Sequence, residues 1–121
     1  MASTEHYEMI AHHIYKYRRV KFQLERVLAV VNPQAKTELG EASTGILIAR
    51  ITAELGHLGP EIKQQFSEVA ADIIALKNEH DLNISPGHVP DPQKTNEFVN
   101  KSADVLAQLG VLQASLAKHH Q

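Results

Sequence analysis

Between Thr4 and Val31 the apolar positions fall at alternating intervals of three and four. Tyr7, Ile10, Ile14, Tyr17, Lys21, Leu24, Leu28 and Val31 follow that rhythm, and Met9, Val20 and Val27 widen it. The period predicts one long helix over 4–31, capped by Ser3 or Thr4, with Glu5 and Glu8 well placed in the first turn. Lys21 is the single charge in the seam and is expected to carry its ammonium sideways to water. Asn32-Pro33 ends this helix and offers a cap and a first helical position to the next.

The next segment, 33–57, is predicted helical but broken near Gly40–Gly45, with Ser43 or Thr44 capping a restart. Beyond the break, Ile46, Leu47, Ile48, Ile51 and Leu55 leave little polar circumference, which predicts a central, buried helix. Gly56, Gly59 and Pro60 make a break, and Pro60 starts a third helix that runs to about Glu79. Its seam is Ile62, Phe66, Val69, Ile73 and Leu76. A loop over 81–90 follows, and Asp91-Pro92 caps the last helix. There Phe98, Ser102, Val105, Leu109, Leu112 and Leu116 repeat the spacing, with Leu106 and Val111 beside it. One domain over 1–121 is expected, an all-α, antiparallel up-down-up-down four-helix bundle.

Composition supports helices. Apolar residues make up 43% and aromatics 5%, so the core has to come from Leu, Ile, Val and Ala, which suit helix packing better than a sandwich. Absence of Cys removes disulfides, thiolate metal sites and thiol chemistry. The first residues have neither the basic nor the apolar region of a leader, and no stretch is long and apolar enough to cross a bilayer. A cytoplasmic setting is the expectation. Net charge is -2, which argues against nucleic acid as partner. Charge is uneven, however: residues 1–31 hold five basic and three acidic side chains, the remainder seven and eleven.

That basic excess falls on one surface. Opposite the apolar seam of the first helix, Tyr15, Arg19, Phe22 and Arg26 are spaced four, three and four, with Arg18 close by. Arginine forks make planar, paired contacts to carboxylate or phosphate, and exposed aromatics supply anchoring area. The stripe has the composition of a recognition surface. As a plain solvated face or a packing face for another helix, it would do nothing of the kind.

Two weaker patterns concern metals. His12 and His13 project about 100° apart and cannot easily share a site. In an up-down bundle, His6 and His13 would lie near His119, which makes a three-histidine cluster at the helix ends conceivable. Glu38-x-x-Glu41 and Glu68-x-x-x-Asp72 are carboxylate pairs of the kind that hold magnesium. Together with the run Ser67 to Ile74, they resemble part of the all-α nucleoside triphosphate pyrophosphohydrolases of the MazG type. The resemblance covers about a third of the chain. It implies magnesium-dependent triphosphate hydrolysis by Glu38, Glu41, Glu68 and Asp72. The second pair departs from that family in having three intervening residues instead of two. Antiparallel pairing across a turn at 58–59 also sets Glu41 opposite Leu76, more than two turns from Glu68. Gly-rich phosphate loops and a nucleophile elbow are missing.

The sequence therefore predicts a non-enzymatic protein-binding module that needs no cofactor. Its contacts would be Tyr15, Arg18, Arg19, Phe22 and Arg26, set against an acidic surface on another protein. A MazG-like hydrolase is the alternative, and a homo-oligomeric structural subunit, pairing its seams between copies, is a third reading.

Overall fold

The computed structural model describes residues 4–34 and 43–119, and over these the chain is four helices with no strand. They are α1 (Thr4–Val31), α2 (Thr44–Leu55), α3 (Pro60–Asn83) and α4 (Pro92–His119). No helix among the described residues is long and apolar enough to cross a membrane.

The helix starts follow local chemistry. Ser43 takes extended geometry and its hydroxyl accepts the Ile46 N–H at 3.3 Å, so α2 restarts one residue beyond it. Asp91 accepts the N–H groups of Gln93 and Lys94 at 2.8 and 3.3 Å, with Pro92 in the first turn of α4. Pro60 opens α3. Pro33 and Gln34 form a turn of 3-10 geometry, and the break expected at Gly40 lies outside the described residues.

α3 outruns its expected end by a turn. Asn83 folds its amide back onto the Glu79 carbonyl at 2.7 Å, and the Ile84 N–H bonds the His80 carbonyl at 3.1 Å. These bonds satisfy the last turn without a glycine.

Packing largely follows the expected seams. All six seam positions of α4 are buried, as are Phe66, Val69, Ile73 and Leu76 of α3. On α1 the seam holds from Tyr17 onward. Before it, the buried position is His13 and Tyr7 faces solvent, so the stripe swings aside at its N-terminal end. α2 is not the central helix that its composition suggests. It buries Thr44, Leu47, Ile51 and Leu55 on one face and leaves Ile46 54% exposed. It touches α1 and α3 but not α4 among the described residues.

Helix direction differs from the up-down-up-down expectation. Tyr17 meets Thr44 through their hydroxyls, while Asn32 Nδ2 donates to Glu54 Oε1 at 3.1 Å. Both numbers rise together, so α2 runs parallel to α1. His13 packs on Phe98 and Gln23 Nε2 donates to Gln113 Oε1, so α4 is also parallel to α1. Only α3 runs the other way, with His80 stacked on Tyr17 and Asp72 facing Lys101. The connection after α1 is long enough to permit this. From Asn32 the next helix starts beside Tyr17, about 22 Å back along α1. The twelve residues 32–43 can span up to about 40 Å, so a crossover is within reach and a hairpin is not required.

Two glycines give opposite stability predictions. Gly59, joining α2 to α3, has φ 110° and ψ 161°, a region open to glycine alone. Gly59→Ala will cost about 1–3 kcal/mol. Gly110 lies inside α4, and an added Cβ there meets nothing within 4 Å. Gly110→Ala will add up to about 1 kcal/mol through helix propensity. Urea unfolding of the two variants checks both signs.

Candidate functional site

Tyr15, Arg18, Arg19, Phe22 and Arg26 all line one groove of about 460 Å³ between α1 and α4. The structure brings all five residues of the sequence-derived stripe together. Gln23 and Leu106 complete the lining. Those two were not singled out from sequence. Leu106 and Gln113 sit two turns apart on α4, and only the parallel neighbourhood of α1 and α4 turns them toward the stripe.

The groove keeps its shape because its walls rest on the core. On α1, Val20, Leu24 and Val27 are fully buried on the side facing away from Arg19, Phe22 and Arg26. On α4, Val105 and Leu109 anchor the helix below Leu106. The Gln23–Gln113 hydrogen bond ties one helix to the other beside the groove.

What the groove presents is apolar area beside unneutralised charge. Tyr15 and Phe22 are each 59% exposed. Arg18, Arg19 and Arg26 make no ion pair among the described residues, and no carboxylate lines the groove. No acid, base or nucleophile is assembled here. Its chemistry is that of contact: guanidinium forks for anionic groups and two aromatic rings for apolar ones.

The other sequence candidates are placed differently. The three-histidine cluster does not form, because α4 is parallel to α1. His13 lies beside Phe98, near the start of α4, whereas His119 closes α4 at the opposite end. No group of three or more metal-ligating side chains comes together among the described residues. Glu38 and Glu41 lie outside the described residues. On α3, Glu68 accepts Gln64 Nε2 at 3.4 Å, and Asp72 faces Lys101 Nζ at 3.7 Å.

His13 is instead a core residue, wholly excluded from solvent. Its Nδ1–H donates to the Met9 carbonyl at 2.9 Å, which leaves Nε2 as a lone pair with no partner. Burial holds its pKa below the ordinary 6.5, reinforced by His80 and His12 and opposed by the Met9 bond and Glu79. Between 6.5 and that lowered value the unfolded chain binds the proton and the folded chain does not. Stability is therefore full above 6.5 and falls as pH drops through that window. His13→Phe will flatten this fall. Urea unfolding of wild type and variant at pH 7.5 and 5.5 measures it, and equal losses would contradict a buried neutral imidazole.

The chain matches no family model, and no curated protein or solved structure is significantly similar to it.

Proposed function

We propose that this protein is a non-enzymatic binding module that engages the acidic surface of another protein through the α1–α4 groove. The observation that supports this reading is the set of three guanidiniums without ion pairs beside two largely exposed aromatic rings, all on one rigid wall. Exposed aromatics cost solubility, and neither ring belongs to the buried core. Paired with arginine, they have the composition of interface anchors.

Nucleic acid fits less well. The net charge of -2 gives no long-range attraction to a polyanion, and arginines confined to one groove are few for backbone tracking. The test is affinity capture from lysate of the source cells, comparing wild type with the Arg19→Glu, Arg26→Glu double variant. A protein retained by wild type alone is the expected result. Equal recovery of every bound protein by both forms would remove the groove from the interaction.

A further inference from the structure

We infer that the groove takes an acidic amphipathic helix of the partner protein, laid lengthwise between α1 and α4. The inference rests on the protein-binding reading and specifies the form of the bound segment.

The walls exclude the main alternative. Both belong to the interiors of 28-residue helices, whose backbone N–H and C=O groups are already bonded within each helix. An extended segment would find no main-chain partners there and would lie with its own polar backbone against apolar side chains. A helix arrives with its backbone satisfied and needs only side-chain complementarity.

Spacing points the same way. Tyr15 and Phe22 are seven residues apart on the α1 wall, and so are Arg19 and Arg26, while Leu106 lines the groove from α4. Seven residues make two helical turns, about 10.5 Å. A helix packed along the groove repeats its own face at the same interval. The occupant is therefore specified: two carboxylates seven residues apart opposite Arg19 and Arg26. Leucine- or methionine-like side chains at the third and fourth positions between them would meet Phe22 and Leu106.

Charge selects the sign, since the guanidiniums of the groove have no counter-charge within it. The same fact opposes a second copy of this chain docking face to face, which would set arginine against arginine. Beyond the lining, α4 also has room one turn on from Leu106: Gly110 is exposed there, and a Cβ built on it meets no atom within 4 Å.

The test uses the full chain and fluorescent synthetic peptides of about eighteen residues, read by anisotropy and circular dichroism. One peptide has glutamates seven apart with leucines at the third and fourth positions. A second scrambles the same composition, a third replaces Glu by Lys, and a single-stranded oligonucleotide serves as polyanion. The periodic acidic peptide is expected to bind about tenfold or more tightly than any other probe and to gain helicity when bound. Gly110→Leu, which adds bulk on α4 one turn from Leu106 where nothing clashes, is expected to weaken it about tenfold without lowering the melting temperature.

Equal binding of the periodic and scrambled peptides would reduce the groove to an acid-attracting patch and overturn the inference. Tighter binding of the oligonucleotide would make it a polyanion site, and indifference to Gly110→Leu would take the helix off α4. These failures are separable from failure of the binding reading. A protein captured from lysate through Arg19 and Arg26, with no preference among the peptides, leaves that reading in place and removes only the helix. No capture together with no peptide binding removes both.

Discussion

Reversing charge at Arg19 and Arg26 will weaken partner binding by about a hundredfold or more while leaving the melting temperature nearly unchanged. Hydrogen bonds from a guanidinium to a carboxylate are worth about 1.5–3 kcal/mol each. Each 1.4 kcal/mol is a factor of ten in Kd. Losing two such contacts reaches the stated effect before repulsion is counted. The fold should not notice, because both side chains are exposed and neither makes an ion pair among the described residues. Glutamate and arginine also differ little in helix propensity. Arg19→Lys with Arg26→Lys separates charge from geometry: it keeps the sign but loses the fork, so an intermediate loss is expected. Titration of the captured partner against the three proteins, beside thermal unfolding of each, gives both readouts. Wild-type affinity in the charge-reversed form would show that binding lies elsewhere.

Phe98→Ala will cost the fold about 3–5 kcal/mol, whereas Phe22→Ala will cost it almost nothing. The two deletions remove the same atoms from different surroundings. Phe98 is 1% exposed, its ring 4.4 Å from that of His13, with Ser102 bonded to its carbonyl one turn on. Truncation opens a cavity in the α1–α4 seam. It also leaves the unpartnered His13 Nε2 beside a void. Domains of this size have total stabilities of about 5–15 kcal/mol, so the loss is a large part of the whole. Phe22, 59% exposed on the groove wall, is not part of the buried core cluster and has little burial to lose. Its removal should instead weaken partner binding, as loss of an aromatic anchor does. Urea unfolding of both variants beside wild type tests the contrast. Similar destabilisation by the two would mean that Phe22 packs inward.

What the sequence disclosed and what it withheld divide along a physical line. Seams such as Phe98–Leu116 and caps such as Asp91 are local: the residues that define them lie within a turn or two of each other. Direction is not local. An apolar stripe with intervals of three and four looks the same whether its neighbour runs up or down, and Tyr17–Thr44 and Asn32–Glu54 are needed to fix it. The groove divides in the same way. Its α1 wall was legible because Tyr15, Arg19, Phe22 and Arg26 share one helix. Its α4 wall was not, because which residues of α4 reach the stripe depends on how α4 lies beside α1, and Leu106 is brought there by that pairing. His13 was hidden for another reason: periodicity places a histidine on a face but does not say whether that face is sealed. α2 misled through composition. Ile46 is apolar yet exposed, and a count of apolar residues does not distinguish a helix surrounded by protein from one that rests on its side.

Three helices pointing one way and one pointing back also give the molecule an electrical axis. Each helix is equivalent to about half an elementary charge of opposite sign at its two ends. In an up-down-up-down bundle these cancel in pairs. Here the C-terminal ends of α1, α2 and α4 gather at one pole against the single N-terminus of α3, which leaves about one unit of negative charge there, while the N-terminus of α2 lies partway along α1, beside Tyr17. α1 and α2 place no basic side chain in their last turns, and Lys118 in the last turn of α4 offsets part of it. A charged partner approaching the groove meets a gradient along its length, which favours one end-to-end orientation before any side chain touches.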